Sequence, residues 1–245
     1  MTGRAADLQP KLSPRLLTLY CELMEEIKRR TDVVSTVTQG HIAVTHVVAI
    51  ELAYLQLRMI CELIALACLT AHGDVPETKS KRLTKAYNAD QIMKALERLH
   101  PGFYPKPGRQ VRNEVGKVVE VVAIEEPYLT KHELQRLYGE CGDFLHRGNI
   151  EQFMKGRSLP KFSQLETWLR KITVLLNHHQ IQLFDARRQL WVIMQAESDG
   201  KVHAFEFLEI GPGTIVTGEA ADAQGASGHD AGGAVAGPSK ARRQP

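Results

Sequence analysis

The sequence lacks the short motifs that mark many common enzymes and metalloproteins. It contains no GxxxxGK[ST] phosphate loop, no GxGxxG dinucleotide fingerprint, no HExxH metal motif and no GxSxG nucleophile motif. The adjacent residues His178 and His179 would point about 100° apart on a helix, which makes them a poor metal pair. We therefore expect no metal site and no cofactor.

Cysteines are also few. The four of them form no CxxC pair, and each lies in an apolar, helix-like context: Cys21, Cys61, Cys68 and Cys141. This usage predicts reduced thiols in a cytoplasmic protein rather than a disulfide framework or a zinc site. The opening residues, MTGRAADLQPKLSP, contain no apolar run, so we expect no signal peptide.

A strong charge of one sign is missing as well. The formal net charge is only +3, which by itself favours neither a nucleic-acid surface nor a membrane surface. Apolar residues make up 43% of the 245 residues, enough to build a substantial core. A chain of this length is enough for one substantial domain with additions or for two small ones.

The longest apolar stretch, residues 42–71, predicts one central helix. It contains no proline or glycine, and a glycine lies on either side of it. Apolar residues occur on all sides of this helix, so other elements must surround it. Three charged residues interrupt the stretch: Glu51, Arg58 and Glu62. Because no run approaches the ~20 apolar residues of a membrane span, we predict no membrane contact.

The remaining elements follow from periodicity. Apolar residues at helical spacing predict four further helices, over residues 14–30, 90–99, 131–146 and 163–184. β-branched runs and an Asp-Gly turn predict two β-hairpins, near residues 109–124 and 189–209. The fold class is therefore α+β and mainly α, a helical bundle around the central helix.

The two ends of the chain differ from the middle. Large apolar residues almost vanish after Ile210, so residues 211–245 are predicted to be a disordered tail. Residues 1–12 are predicted to be a flexible N-terminus. A single helical-bundle domain is then expected over residues 13–210.

The charges of the central helix indicate where a site would lie. Glu51, Arg58 and Glu62 fall within one narrow wedge, with Tyr54 at its edge. Charges on a buried helix must be paired or must line a cavity, because an isolated buried charge is very costly. The wedge is therefore either an ion pair that fixes helix packing or a polar site in the bundle.

His146 is the candidate from another helix. Gly139, Gly142 and His146 lie on one strip of the helix predicted over residues 131–146. Each glycine costs about 1 kcal/mol relative to alanine, which is understandable if another helix approaches closely there. We therefore predict that His146 lies near a packed interface and faces Arg58 and Glu62.

Such a pocket would bind a phosphate and move a proton. Arg58 would neutralise developing charge, and His146 would act as the acid or base. Glu62 or Glu51 would orient one of them, and Tyr138 would contribute a hydroxyl. The alternative is that His146 only closes a buried hydrogen-bond network.

Two segments together resemble bacterial helical proteins related to the HEPN superfamily. One is the R-x-x-x-E helix in residues 57–63, and the other is the Y-x7-H helix end from Tyr138 to His146. The resemblance implies a helical bundle, often dimeric, and some such proteins are metal-independent ribonucleases. Active members carry R-x4-6-H within one helix, whereas here Arg136 precedes His146 by ten residues.

Two functions are therefore expected. The first is a HEPN-like domain that binds RNA or a nucleotide, with Arg58, Glu62 and His146 as catalytic residues. Its binding residues would be Glu51, Tyr54 and Tyr138. The second is a non-enzymatic interaction module, in which the polar wedge only fixes packing or the register of a homodimer.

Overall fold

The computed structural model describes residues 12–80, 83, 85–86, 88–115, 118–146, 154, 158–211 and 214–222. Its helices are α1 (Pro14–Thr38), α2 (His46–Ala71), α3 (Ala89–Leu99), α4 (Lys131–Leu145) and α5 (Phe162–Leu176). Its strands are β1 (Lys106–Arg112), β2 (Val118–Ala123), β3 (His178–Gln182), β4 (Arg188–Ile193), β5 (His203–Gly211) and β6 (Thr214–Asp222). The predicted α+β fold class is confirmed.

The predicted central helix is α2, which packs against α1, α3, α4 and α5. It begins at His46 rather than at residue 42, after Thr45 in extended backbone. Arg30 Nη1 in α1 donates to Gln56 Oε1 in α2 at 2.9 Å, and the Ser13 backbone N–H donates to Asp74 Oδ2 at 2.7 Å. The start of α1 therefore meets the end of α2, and the two helices run antiparallel.

By length and composition α2 is able to cross a membrane. Its most apolar stretch has a mean hydropathy of 1.7, and 56% of that stretch is buried inside the protein. Leu57, Ile60 and Cys61 in its middle are fully buried. This burial is that of a core helix, and α2 supplies much of the apolar core.

The six strands form one antiparallel sheet in the order β2-β1-β3-β4-β5-β6. Pairing of β1 with β2 and of β4 with β5 confirms both predicted hairpins. The strand β3 joins them, since Pro107 pairs with His179 and Ile181 pairs with Leu190. This third connection was not predicted.

The predicted helix over residues 163–184 is wrong at both ends. The helix α5 starts earlier, because the Lys161 backbone N–H donates to Gln164 Oε1 at 3.1 Å, so Ser163 is inside the helix. It ends at Leu176, and residues 178–182 form β3 instead. Their sequence, HHQIQ, also fits an alternating strand, and pairing on both sides outweighs weak helix propensity.

The predicted tail starts too early. Residues 214–222 form β6, which pairs with β5 through residues 214 to 222. The β-branched run Thr214-Ile215-Val216-Thr217 is the local cause. Residues 223–245 lie outside the described residues, as do residues 1–11, and Leu12 is buried at 4% exposure. The N-terminal boundary of the folded part is therefore also earlier than predicted.

The sheet has an inner and an outer face. The inner face is fully buried and packs on α1; it consists of His179, Ile181, Leu190, Val192, Val202, Ala204 and Glu206. Glu25 of α1 accepts from the Val202 backbone N–H at 2.7 Å. The outer face is mostly half-buried and consists of His178, Gln180, Gln182, Gln189, Trp191, Ile193, His203, Phe205 and Phe207.

Candidate functional site

Arg58, Glu62 and Tyr138 meet between α2 and α4, and we call them the Arg58 cluster. Arg58 Nη2 donates to the Tyr138 hydroxyl at 3.0 Å, and that hydroxyl donates to Glu62 Oε1 at 3.2 Å. Arg58 Nε lies 3.4 Å from the same Glu62 oxygen. The guanidinium also lies over the Tyr138 ring, 4.6 Å from its centre. These three side chains therefore contact one another, as predicted.

The cluster sits at the edge of the core rather than inside it. The side chains of Arg58 and Glu62 are 30% and 21% exposed. Burial raises the pKa of Tyr138, the Glu62 carboxylate raises it further, and Arg58 opposes both. Tyr138 therefore stays a neutral hydroxyl that links the two charges, and the cluster is suited to joining α2 to α4.

Gly142 explains how Arg58 reaches this position. A Cβ on Gly142 would lie only 3.1 Å from Arg58 Nη1, whereas one on Gly139 would have no heavy atom within 4 Å. One of the two predicted close approaches is therefore real. The element that enters the glycine notch is an arginine side chain rather than the backbone of another helix.

The predicted position of His146 is wrong. It is exposed, and it is the C-cap of α4, where its backbone N–H donates to the Gly142 carbonyl at 3.1 Å. One turn separates it from Gly142, so it lies about 6 Å further along the axis than the notch that holds Arg58. Among the described residues its imidazole has no hydrogen-bond partner. Helical spacing placed it on the correct strip but could not show where the packed part of the strip ends.

Tyr54 packs rather than lining the Arg58 cluster. Its ring stacks on Phe144 of α4, with centres 4.4 Å apart. Glu51, one turn earlier, is half-buried. Since Tyr138 meets Glu62 and Phe144 meets Tyr54, α2 and α4 run antiparallel. The contact contributes mainly hydrophobic burial.

A cleft of about 760 Å³ lies beside Tyr54 and Phe144, next to Trp168 of α5. Its two cations are already engaged. Arg136 lies 4.9 Å from the Trp168 ring centre and 3.5 Å from Glu140, and Lys171 is hydrogen-bonded to Glu133. Partial burial would raise the pKa of Glu133, but its hydrogen bonds from Lys171 and Thr130 lower it. The cleft is therefore close to electroneutral and offers little attraction for a phosphate.

The outer face of the sheet carries the aromatic residues that sequence reasoning missed. The Trp191 and Phe207 rings lie 4.6 Å apart, and Trp191 Nε1 donates to Gln189 Oε1 at 2.9 Å. His178 meets the Trp191 ring edge-on, with centres 6.2 Å apart. The alternation in QLWVI and HAFEF was a usable signal, because each strand places its aromatic residues on one side.

A larger cleft of about 1120 Å³ runs over this outer face, and we call it the sheet cleft. Residues from five strands, from α5 and from the loops around them form its walls, including Arg109, Gln110, Arg112, His178, His203 and Phe205. Three carboxylates, Glu125, Glu126 and Glu197, also line the cleft. The cleft is polar, with mixed charge, and it contains aromatic surface.

His178 is the unusual residue of the sheet cleft. It is only 8% exposed, and its Nδ1 lies 3.2 Å from the Gly108 carbonyl oxygen. Burial lowers its pKa, although the bond to Gly108 raises it. The ring is therefore neutral, with the proton on Nδ1. Its Nε2 is a buried acceptor with no hydrogen-bond partner among the described residues.

Nucleophiles and metal ligands are not prominent. The four cysteines are free and buried, and burial raises the pKa of Cys141 to about 12. The described part of the chain contains no group of three or more His, Cys, Asp or Glu side chains able to hold a metal ion.

No family model, curated protein or solved structure matches this chain. The structure is thus a helical layer packed on one face of an antiparallel sheet. The outer face of that sheet is polar and carries aromatic side chains.

Proposed function

We propose that this protein binds single-stranded RNA across the outer face of its sheet, without cleaving it. RNA is also a partner class that the HEPN resemblance implied. The observation that carries the proposal is the aromatic surface of Trp191, Phe205 and Phe207, which is half-buried on adjacent strands. Sequence-tolerant binding of single strands uses such rings as stacking platforms, each worth roughly 1–3 kcal/mol per base.

The polar residues of the outer face suit the edges of bases and sugars. Gln180 pairs across the strands with Trp191, and Trp191 pairs with Phe205, so an amide lies directly beside the stacking surface. Amides and neutral imidazoles both donate and accept hydrogen bonds, which is what unstacked bases require. A bound strand would therefore find stacking and edge contacts on one surface.

Phosphate contacts would come from one side of the sheet cleft. Arg109 and Arg112 are exposed on β1, while Glu125 and Glu126 limit the positive potential nearby. Stacking and hydrogen bonding would then contribute more to affinity than charge neutralisation. This balance agrees with the small net charge of the whole chain.

The absence of an assembled acid–base pair in the Arg58 cluster supports binding rather than cleavage. Arg58 and Glu62 are occupied with each other and with Tyr138, and His146 is exposed one turn beyond them. General acid–base catalysis needs its groups within hydrogen-bond reach of the same substrate. The Arg58 cluster is better suited to holding α2 against α4.

The test is fluorescence anisotropy with a labelled single-stranded RNA of about twelve nucleotides, a length within the site sizes of single-strand binding folds. We expect Trp191→Ala and Phe207→Ala each to weaken binding about tenfold, with the melting temperature monitored in parallel. Phe184→Ala is the matched control, since Phe184 is 49% exposed and contacts His100 rather than the sheet cleft. Equal affinities for all three variants, or no binding by the wild type, would exclude this function.

A free nucleotide is the smaller form of the same ligand. It would occupy one stacking position instead of several, so we expect it to compete only at much higher concentration than the oligonucleotide. Competition at equal concentration would identify a nucleotide-binding protein instead.

An interaction module is the second candidate, and exposed apolar residues near the start of α2 favour it. Val44, Val47, Val48 and Leu55 are 41–46% exposed. Half-buried Leu52 and Met59 extend the same strip, so that residues 48, 52, 55 and 59 follow the alternating spacing of four and three that two packed helices use. A strip of this kind is complementary to itself when two copies pack antiparallel about a twofold axis.

The proposed partner at this strip is therefore a second copy of the chain. Analytical ultracentrifugation should show a dimer for the wild type and a monomer for Val48→Lys. Val115→Lys, at an 85% exposed position outside the strip, should leave the dimer intact. A monomeric wild type at all concentrations would exclude the homodimer.

A further inference from the structure

We propose that His178 makes the sheet cleft selective, by accepting a hydrogen bond from a donor on the bound nucleotide. RNA supplies such donors at the ribose 2′-hydroxyl, at the exocyclic amines of adenine, cytosine and guanine, and at the ring N–H of uracil and guanine. This inference rests on the proposed RNA-binding function. It adds a residue that decides which nucleic acids are bound.

The chemistry follows from the orientation of the imidazole. Its Nδ1 faces the Gly108 carbonyl, which only accepts, so Nδ1 carries the proton. Its Nε2 then has a lone pair and no donor among the described residues. A buried acceptor without a hydrogen-bond partner destabilises the free protein. A ligand that donates a hydrogen bond to it removes this destabilisation.

The surroundings hold the ring in this orientation. The Trp191 ring lies against it edge-on, and Gly108 on the next strand approaches closely. A Cβ on Gly108 would lie 2.8 Å from Val121 Cγ1 and 3.6 Å from His178 Nδ1. The glycine therefore leaves room for the Val121 side chain on β2, and its carbonyl fixes the tautomer of His178 through the Nδ1 hydrogen bond.

The row of residues across the strands shows how a nucleotide would lie. His178 pairs with Ile193, and Ile193 pairs with His203, so these three side chains share the outer face. Trp191, whose ring meets His178, offers the nearest stacking surface, and Phe205 lies beside it on β5. A base stacked there places its sugar or its edge towards His178. Because Nε2 is covered in the free protein, a lining side chain has to rotate as the ligand enters.

The experiment measures ratios of affinity rather than affinity alone. Three ligand pairs are compared by anisotropy: RNA against DNA of one mixed sequence, oligo-A against oligo-U, and oligo-C against oligo-U. The variants are His178→Phe, which keeps a ring but removes the acceptor, and His178→Gln, which keeps an acceptor of similar reach. Trp191→Ala reports on binding through stacking.

If the 2′-hydroxyl is the donor, the wild type should prefer RNA over DNA about fivefold or more, and His178→Phe should reduce this ratio to within twofold. If a base is the donor, His178→Phe should instead abolish the preference of the wild type among the oligomers, which would be for oligo-A and oligo-C where an exocyclic amine donates, or for oligo-U where its ring N–H donates. In either case His178→Gln should keep most of the preference, which a merely structural role would not predict.

Two results would overturn the inference, and they are distinguishable. Unchanged ratios in His178→Phe, with RNA binding still sensitive to Trp191→Ala, would remove the role of His178 and leave the proposed function standing. This is also the expected pattern if only a water molecule satisfies Nε2. No binding of any oligonucleotide by the wild type would remove both.

Discussion

Tyr20 and His179 are separated by 159 residues in the chain but are joined in the core, where the tyrosine hydroxyl and His179 Nε2 lie 2.7 Å apart. Both residues have 0% exposure. His179 Nδ1 lies 2.8 Å from the Leu176 carbonyl, so Nδ1 donates there and Nε2 accepts from Tyr20. The pair attaches α1 to β3 and thereby fixes the helical layer on the inner face of the sheet.

The first prediction concerns pH. Burial lowers the pKa of His179 to about 4, the bond to Leu176 opposes this shift, and neighbouring His178 adds to it. Neutral Tyr20 bonds the ring, and the thiols of Cys68 and Cys21 lie near that tyrosine. His179 therefore takes up a proton near pH 6.5 in the unfolded chain but only near pH 4 in the folded chain. Stability from this residue is complete above about pH 6.5 and falls by roughly 3 kcal/mol towards pH 4.

Urea unfolding at pH 7, 6, 5 and 4 checks this value. His179→Gln should be less stable than wild type at pH 7 but should lose less stability on acidification. Titrating carboxylates contribute to both proteins, so the difference between the two curves isolates the histidine. If the free energies of unfolding of the two proteins change with pH in parallel, His179 does not cause the loss of stability at acidic pH.

The second prediction concerns the Arg58 cluster. Because its charges are partly exposed, Arg58→Ala should lower the free energy of unfolding by about 1 kcal/mol. A fully buried pair would instead lose about 3–5 kcal/mol when broken. Chemical denaturation measures the loss, and Tyr138→Phe, which removes the bridging hydroxyl, should cost a similar amount. RNA binding should be unchanged in both variants. A loss of binding would mean that the RNA site includes the Arg58 cluster between α2 and α4.

The third prediction compares the two glycines of α4. Gly139→Ala should raise the free energy of unfolding by up to about 1 kcal/mol, since a Cβ has open space there and alanine is the better helix former. Gly142→Ala should gain clearly less, because its Cβ would lie 3.1 Å from Arg58 Nη1. Thermal or urea unfolding of the two variants decides this, and equal gains would mean that Arg58 does not occupy the notch.

The fourth prediction concerns the buried ion pair of Arg188 and Glu206, whose closest atoms, Nη1 and Oε1, lie 2.6 Å apart. Glu206 is 1% exposed, and its second oxygen has no hydrogen-bond partner among the described residues. Glu206→Leu should cost about 3–5 kcal/mol, because it leaves a buried guanidinium without its main partner. Adding Arg188→Met should recover much of that loss. A double variant as unstable as the single one would contradict the desolvation argument.

The fifth prediction is the salt dependence of RNA binding. If Arg109 and Arg112 make the phosphate contacts, the logarithm of the affinity should fall with the logarithm of the salt concentration with a slope of about −1.4. Anisotropy titrations between low and physiological salt measure it, and Arg109→Gln should reduce the slope by about half. A slope several times steeper would indicate a different, more basic surface.

The local elements could be predicted from the sequence because their causes lie within a few residues. Thr130 and Glu133 form a capping box at the start of α4, a signature that lies within four residues of sequence. The β-branched run near residue 120 and the Asp-Gly turn near residue 200 give the two hairpins. The central helix was visible because its apolar residues continue without proline or glycine.

The errors occur where partners distant in the chain decide. Residues 178–182 became a strand because β1 and β4 flank them, and residues 214–222 became a strand because β5 was available. His146 shares its strip with Gly139 and Gly142, but the packed part of that strip ends before it. Helical spacing gives the direction of a side chain and does not give the length of the contact.

The sequence by itself therefore determined the helices, the hairpins and the pairing of Arg58 with Glu62, because local spacing and propensity suffice for these. Only the tertiary structure decided that the hairpins join through β3, that His179 is buried while His178 faces the sheet cleft, and that Trp191 and Phe207 lie together. Neighbouring residues on a strand point to opposite faces, so one unpredicted strand determines which of two adjacent histidines enters the core.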